Sequence, residues 1–543
     1  MSNDDFMNGS AWVFASMPLF YAAAAVLMPR LSDMWRYALS ASVLALTAVL
    51  VASLGLAAGG PSAQVVHVAS RLSPVFEVRM DVLTAAMSVL IAFISMIILR
   101  YSKSYLAGDS GQARFVRWFF GTVASISLLV ASNHLIVMLV GWIAASICLH
   151  QLLTYFSSRP QALLAAHKKF LLSRFADILL IAGFLMVGEH YGTYHLDRLF
   201  ELIGMQGALA APVQVATILI ALATILKCAQ LPFHGWLIQV MEAPTPVSAL
   251  LHAGVVNIGG FLLIRLAPLM SISPAAQWLL VVVGSLTAVV AGLIMMTRIS
   301  VKVMLAWSTC AQMGFMLMEC GLGAYPLAML HLLAHSLYKA HCFLGSGRAV
   351  EQCMTRRLAP AAKGHQLAGW MLAAVYSLGV VVVSAWLLGS SPVDEPALWA
   401  LAAIVAFGVA TLMGEALAAG NGRLAFVMAV FGLGISLVYF AWHHLFVAWT
   451  VLPAAGAVPA AGTVIWVLGL FALQFVLYAA IRIVPMHPLI RSMQSYLYHG
   501  LYLDELFTRA TFRIWPPKRT RGDSPGNNTV TLLKSEGVPS CSH

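Results

Sequence analysis

Apolar runs of about 20 residues recur from the N-terminus almost to the C-terminus of this 543-residue chain. Each run is long enough to cross the roughly 30 Å hydrocarbon core of a bilayer as an α-helix. A helix satisfies its own backbone hydrogen bonds in lipid, and the alternating pattern of a membrane strand is not seen. Hydrophobic residues make up 61% and charged residues 9% of the chain, whereas a soluble domain carries about 25% charged residues. The predicted fold is an all-α polytopic membrane protein.

About fifteen transmembrane helices are predicted from these runs. Their approximate bounds are 8–28, 37–59, 80–100, 115–131, 133–155, 169–188, 212–240, 245–267, 276–297, 301–320, 324–346, 367–388, 396–418, 424–446 and 461–484. The helix bundle therefore occupies residues 1–484. Residues 485–515 mix apolar and charged positions and are predicted to form an interfacial amphipathic segment. Residues 516–543 are predicted to be a disordered cytoplasmic tail, because Pro, Lys, Arg, Gly and Ser dominate them.

The distribution of positive charge predicts the orientation of the bundle. Of the 31 Lys and Arg residues, Lys227 and Lys339 fall within spans, and nearly all others share a side with the C-terminus. The opposite side holds Arg71, Arg79, Arg198 and Arg265. Cytoplasmic loops carry the excess of Lys and Arg, so the N-terminus is predicted outside and the C-terminus in the cytoplasm. The net charge of +11 is thus explained by topology, and membrane lipid rather than nucleic acid is the expected contact.

Five basic side chains stand out inside the predicted apolar helices. They are Lys227, His252, His331, His335 and Lys339. A charge inside the bilayer is costly, so such residues usually face the bundle interior and mark an ion or proton path. The last three recur every four residues and therefore share one face of a helix. A snorkelling lysine or a histidine bonded to a carbonyl is the structural alternative, but the depth and the repeated spacing favour a relay.

The seventh predicted span is interrupted. It runs past Lys227 into Gln230-Leu231-Pro232, and a second interruption follows at 242–246, where Pro244 and Pro246 lie. Proline removes a helical hydrogen bond and clashes with the preceding turn. Discontinuous helices near the bilayer midplane are where transporters place their binding sites. A broken seventh helix is therefore predicted beside Lys227.

No cofactor, metal or catalytic site is predicted for this chain. A Walker A loop, a dinucleotide fingerprint and a G-x-S-x-G elbow are missing. The seven cysteines include no Cys-x-x-Cys pair. His331 and His335 have the spacing of metal ligands, but no acidic or Cys ligand lies near them in sequence and Lys339 would repel a cation.

Several long motifs resemble one known family. These are the stretches 227–236, 241–252, 303–315 and 331–340, with Tyr105–Asp109, Arg174 with Asp177, and Tyr502–Glu505 as weaker matches. They are similar to the antiporter-like membrane subunits of respiratory complex I, in particular the L or subunit 5 branch, and of multisubunit cation/proton antiporters. The resemblance implies that Lys227 is the central switchable proton carrier. It also implies that His252 links Lys227 to the group of His331, His335 and Lys339.

The sequence departs from the family pattern at three places. The family's glutamate after Gly-Trp in the fifth helix is replaced by Ile143, and Asp177 or Glu242 is the candidate substitute. The span 367–388 is continuous and lacks the family's exit lysine. Glu319 and Glu415 are acids in apolar spans outside the family pattern, and Glu415 is the candidate substitute for that lysine. Third, no long lateral helix follows the last span.

These departures resemble a divergent branch, the membrane subunits of DAB inorganic-carbon accumulation complexes in the bacterial cytoplasmic (inner) membrane. The resemblance implies a proton-conducting subunit that couples the proton-motive force to uptake of CO₂ or bicarbonate. The implied partner is a large peripheral cytoplasmic subunit that is carbonic-anhydrase-like and zinc-dependent. Three alternatives stay open: a proton-pumping subunit of a respiratory NADH-quinone or hydrogenase-type complex, a Na⁺/H⁺ antiporter subunit, and a non-conducting scaffold.

Overall fold

A computed structural model provides the fold of this chain. It describes residues 3–28, 33–59, 64–67, 77–157, 159–205, 208–348, 364–391, 395–449 and 460–515. The predicted disordered tail, 516–543, lies outside the described residues. The basic positions Arg356, Arg357 and Lys363 also lie outside them.

Among the first six helices, each packs against the next one along the chain. Helices α1 to α6 are Asn3–Val26, Met34–Gly59, Val82–Tyr105, Gln112–Ala131, Leu135–Leu153 and Pro160–Tyr191. Helix α3 begins where Asp81 Oδ1 accepts a hydrogen bond of 2.8 Å from the backbone N–H of Thr84, which is a side-chain N-cap. Helix α6 begins with a proline, which needs no N–H donor there, and is followed by Gly192 in the left-handed conformation.

The central helices are short because the chain is interrupted there. Helices α7 to α12 are Leu196–Gly204, Ala211–Lys227, Gly235–Gln239, Thr245–Ala253, Ile258–Arg265 and Ala267–Met270. Short 3₁₀ turns at Val240–Glu242 and Val255–Asn257 lie between them. Of the span Thr245–Arg265, 94% is buried inside the protein, against 11% of Ala461–Ile483. The interrupted helices therefore occupy the centre of the bundle.

The remaining helices complete the bundle and its C-terminal segment. Helices α13 to α21 are Pro274–Met295, Val301–Gly321, Tyr325–Leu344, Leu367–Leu387, Pro396–Ala418, Gly422–Trp449, Ala461–Ile483, Pro488–Tyr498 and Glu505–Ile514. Helix α16 is continuous and contains no lysine, as the sequence predicts. Helices α13 and α14 pack closely, because a Cβ on either Gly284 or Gly314 would lie 2.5 Å from the carbonyl oxygen of the other.

The structure confirms an all-α polytopic membrane fold. Among the described residues, 12 helices have the length and composition of a membrane span. Ser10–Val26 and Ala211–Lys227 are shorter apolar helices, and α15, which carries the predicted ladder, is not among the 12. Each of the fifteen predicted spans corresponds to a helix or to a pair of interrupted helices. The exact number of crossings and the orientation of the termini stay predictions.

One small β-structure lies between the helices. Strands β1, Gln64–His67, and β2, Glu77–Met80, pair antiparallel in the predicted loop before α3. Their backbone groups satisfy each other, so helix formation is not required there. Each strand has four residues, which is at the lower limit at which alternation of polarity signals a strand.

Candidate functional site

Lys227 is the last residue of α8, at the point where the helix breaks. The chain then turns through residues 228–234, with Ala229 in a left-handed conformation (φ 53°), before α9 begins at Gly235. A helix end leaves carbonyl and N–H groups without helical partners. Two of these groups are satisfied here: the Cys228 carbonyl accepts from Gln230 Nε2 at 2.9 Å, and the Leu231 N–H donates to Thr287 Oγ1 at 3.2 Å. The predicted break in the seventh helix is therefore confirmed, and it forms a polar element inside the bundle.

The ammonium group of Lys227 is buried against Trp142. It donates to the carbonyl oxygen of Trp142 at 3.3 Å and lies 4.2 Å from the centre of its ring. The indole N–H of Trp142 donates to Asp177 Oδ1 at 2.9 Å, and Arg174 lies 2.8 Å from Asp177 Oδ2. A single tryptophan thus connects Lys227 with a buried carboxylate. Of the two predicted substitutes for the fifth-helix glutamate, Asp177 has the contacts that suit the role.

Glu242, the other candidate substitute, lies outside this buried group. Its side chain is 43% exposed and is 3.6 Å from Arg159, itself 54% exposed. An exposed pair of this kind contributes little. The structure does not bring Glu242 into the buried group, so its contacts give the predicted tuning role no support.

Lys169 is a buried charge that the sequence analysis assigned only to the positive cytoplasmic side. Helix α6 begins nine residues before the predicted span, so Lys169 lies within the helix and is buried. Its ammonium donates to the carbonyl oxygen and to Oγ of Ser146, both at 2.8 Å. Its spacing of eight residues from Asp177 places both on one face of α6, and this spacing was visible in the sequence.

His252 lies near the C-terminal end of α10 and is fully buried. Its ring stacks on Phe343, with centroids 4.3 Å apart and an interplanar angle of 19°. Neither ring nitrogen has a hydrogen-bond partner among the described residues. Since a buried polar group without a partner is costly, packing alone does not explain a histidine at this position.

The predicted ladder follows one face of the continuous helix α15. The rings of His331 and His335 have centroids 6.0 Å apart. His335 is buried on the same helix as Phe343, whose ring stacks on that of His252. The buried ammonium of Lys339 donates to Ser308 Oγ at 2.6 Å and to the carbonyl oxygen of Leu305 at 3.2 Å. The structure therefore brings His252 and the ladder together.

Glu319 is a direct partner of the ladder, although the sequence analysis set it outside the family pattern. It lies in α14, is buried, and its Oε2 is 2.8 Å from Nδ1 of His331. An acid in an apolar span was the available signal. Its proximity to His331 was not visible, because it depends on how α14 and α15 pack.

The C-terminal segment covers the broken helix. Asp504, just before α21, accepts hydrogen bonds from the buried Lys168 at 2.8 and 3.1 Å and from Gln239 at 2.8 Å. A Cβ at Gly235, the first residue of α9, would overlap the Asp504 carboxylate. The segment is thus anchored to α6 and α9, and a side chain at position 235 would displace the Asp504 carboxylate. Its predicted interfacial position stays a prediction.

A second polar cluster lies on the far side of the bundle from Asp504. Ligand atoms of Glu77, His195 and Asp197 lie within 4.8 Å of one another. Asn133 donates to Glu77 at 3.0 Å and to Asp197 at 2.9 Å. Burial alone would raise the pKa of the Asp197 carboxyl, but hydrogen bonds from Asn133 and from the backbone hold its pKa below its ordinary value. These hydrogen bonds connect β2 and α7 to the start of α5, so the cluster stabilises the fold.

Two family models match this sequence. Residues 132–393 match the model described as NADH:quinone oxidoreductase/Mrp antiporter, TM. Residues 67–116 match the model described as NADH-Ubiquinone oxidoreductase (complex I), chain 5 N-terminus. Lys227, His252 and the whole ladder lie in the first matched range.

Curated relatives are similar over most of their length. The chain is 42% identical over 433 residues to the probable inorganic carbon transporter subunit DabB of Hydrogenovibrio crunogenus, covering 79% of this chain and 82% of the relative. It is 37% identical over 456 residues to DabB2 of Halothiobacillus neapolitanus, covering 81% of each. NADH-quinone oxidoreductase subunit L of Mycobacterium tuberculosis is 32% identical, with coverage of 62% and 55%.

Solved structures share the fold. A chain of the Mrp complex from Dietzia sp. DQ12-45-1b has a TM-score of 0.53 and 22% identity, covering 96% of this chain and 58% of its own. A chain of the membrane-bound sulfane sulfur reductase, an archaeal respiratory membrane complex, has a TM-score of 0.57 and 18% identity, covering 91% and 99%. These similarities concern the fold alone.

Proposed function

Because the chain belongs to the DabB family of inorganic carbon transporter subunits, we propose that it is a proton-conducting membrane subunit that couples the proton-motive force to inorganic-carbon uptake. One observation carries the proposal: Lys227 is buried at a helix break, bonded to Trp142, which is itself bonded to Asp177. A buried, switchable amine beside a carboxylate can hold and release a proton without leaving the bundle.

The proposed path runs from Lys227 through His252 to the ladder. Neutral imidazole accepts a proton at one nitrogen and donates from the other, as a relay requires. The ring nitrogens of His252 and Nε2 of His335 have no partner among the described residues, which leaves them available for transfer. Lys339 receives the proton at the end of the ladder, where the carbonyl oxygen of Leu305 and the hydroxyl of Ser308 accept hydrogen bonds from its ammonium group.

The driving force is adequate for coupling. One elementary charge crossing a potential of 100 mV releases about 2.3 kcal/mol. A single proton can therefore bias a modest chemical equilibrium in a partner. No metal or redox group of this chain is needed for that step.

We further propose that the partner is a large peripheral cytoplasmic subunit of the DabA type, carbonic-anhydrase-like and zinc-dependent. The relatives are named as subunits of an inorganic carbon transporter, which supports an assembly. The chemistry on carbon dioxide then takes place in the partner, and this chain has a transport role. The predicted orientation puts the C-terminal segment on the partner's side.

The test is growth of a host that depends on the complex in air. Lys227→Ala should abolish growth in air and leave growth at high CO₂ intact. Lys103→Ala, which removes an exposed lysine near the end of α3, is the matched control and should grow like the wild type. If the strain with Lys227→Ala grows normally in air at a normal protein level, the proposed role of Lys227 is wrong.

A proton-pumping or Na⁺/H⁺ antiporter subunit is the second candidate. The match of residues 132–393 to the complex I and Mrp model favours it. Sodium-dependent quenching of a pH dye in vesicles distinguishes the antiporter. Co-purification with a set of dehydrogenase subunits, rather than with a carbonic-anhydrase-like protein, distinguishes the respiratory pump.

A further inference from the structure

A cavity of about 440 Å³ lies between helices α13, α14, α17 and α19. Most of its wall is apolar, but six polar side chains face it: Ser308, Gln312, Thr411, Glu415, Gln474 and Tyr478. A cavity of this volume with several polar groups has room and partners for water. It is therefore a polar space inside a part of the bundle that the proposed path does not use.

The cavity begins at the end of the ladder. Ser308 lines it, and the Oγ of Ser308 is the acceptor 2.6 Å from the ammonium of Lys339. A hydroxyl group both accepts and donates. Ser308 thus connects the buried Lys339 with the cavity by one hydrogen bond.

Glu415 also lines the cavity, in the last turn of α17. Its Oε1 accepts from the hydroxyl of Tyr478 at 3.0 Å and lies 2.9 Å from Nε of Arg482. His365 is the third facing group, with Nε2 3.9 Å from Oε2 of Glu415. Glu415 is 36% exposed and Arg482 45% exposed, so the cavity reaches the outside of the protein beside this pair.

We propose that Lys339, Ser308, this cavity and Glu415 form the terminal section of the proton path, with Glu415 as the carrier that exchanges protons with the surface. The inference rests on the proposed function. It assigns an exit in place of the lysine that α16 lacks. The proton leaves Lys339 through the Ser308 hydroxyl, crosses the cavity and binds the Glu415 carboxylate, from which it passes to solvent.

The position of this exit fits inward flow. Helices α15, α17 and α19 end, and α14 begins, on one side of the bundle, since Lys339 contacts Ser308 and Glu415 contacts Arg482. That side is predicted to be cytoplasmic. A proton released at Glu415 therefore enters the compartment of the proposed partner, as coupling to the proton-motive force requires.

The experiment measures proton uptake into proteoliposomes that contain the complex of this chain with its co-purified partner. Glu415→Gln should lower the uptake by about 100-fold, because a positioned proton-transfer group is lost. Ser308→Ala should lower it by about tenfold, the effect of one hydrogen bond to a charged group. The matched control is Glu395→Gln, which neutralises a carboxylate at the opposite end of α17 that pairs with His443 at 3.0 Å. The control should conduct like the wild type.

A double variant separates transport from structure. Glu415→Gln with Arg482→Gln removes both charges of the pair, so no unpaired charge remains. Continued loss of uptake in the double variant supports a carrier, whereas restored uptake overturns the inference in favour of a structural ion pair. Wild-type uptake by Glu415→Gln, with Lys227→Ala inactive, overturns this inference and leaves the proposed function standing. No uptake by the wild type overturns both.

Discussion

The carboxylate of Glu319 lies 2.8 Å from the imidazole of His331, and both side chains are inside the bundle. The pair begins the ladder of α15 and joins it to α14. A carboxylate fixes the orientation of an imidazole and determines which nitrogen carries the proton. Nε2 of His331 has no partner among the described residues, whereas Nδ1 is occupied by Glu319.

The first prediction concerns this pair. Glu319→Gln keeps the size of the side chain but removes its charge, and we expect proton uptake by the reconstituted complex to fall about tenfold or more. Glu201→Gln, which changes an exposed carboxylate on α7, is the control. Equal uptake by the two variants would show that His331 needs no carboxylate.

The second prediction separates the two candidates for the missing glutamate. Asp177→Asn keeps an oxygen that can accept from Trp142 but removes the charge near Lys227, so we expect uptake to fall about tenfold. Glu242→Gln should change uptake by less than about twofold, since the glutamate is exposed and paired at the surface. The reverse order of effects would reassign the role to Glu242.

The third prediction concerns the anchoring of the C-terminal segment. Asp504→Asn weakens the ion pair with the buried Lys168, and we expect the rate of limited proteolysis within 485–515 to rise about tenfold. Glu505→Gln is the matched control. Glu505 is next to Asp504 in sequence, but its carboxylate pairs with Arg509, and both side chains are exposed. Equal proteolysis of Asp504→Asn and the wild type would mean that the segment is held by other contacts.

The fourth prediction concerns the packing of α13 against α14. Gly314→Val places methyl groups against the backbone of Gly284, and overpacking of this kind costs about 1–3 kcal/mol. We expect a lower melting temperature in detergent. Gly469→Val in α19, where no atom lies within 4 Å of the added Cβ, should leave it unchanged. Similar melting temperatures for both variants would contradict the close contact.

The ladder and the broken helix were predictable because both are local. The spacing of His331, His335 and Lys339 fixes their common face in any α-helix, and proline marks a helix break by its own chemistry. The β1–β2 hairpin was missed because its strands are too short to show a clear alternation. Which strands pair depends on the tertiary fold.

The other partners could not be predicted because they depend on tertiary packing. Lys168 and Asp504 are separated by 336 residues, and no pattern within either segment indicates the contact. Lys169 was counted with the cytoplasmic positive charges because charge near a span end usually marks topology. The helix instead extends past it, and Ser146 of α5 supplies its acceptors.

In the proposed mechanism, protons cross the membrane through Lys227. Its most direct test is the rate of proton uptake, under an imposed membrane potential, into vesicles that contain the wild-type complex or the Lys227→Ala complex at matched protein levels. We predict potential-driven uptake with the wild type and uptake at the level of empty vesicles with Lys227→Ala. Equal rates for the two complexes would show that protons do not cross through Lys227.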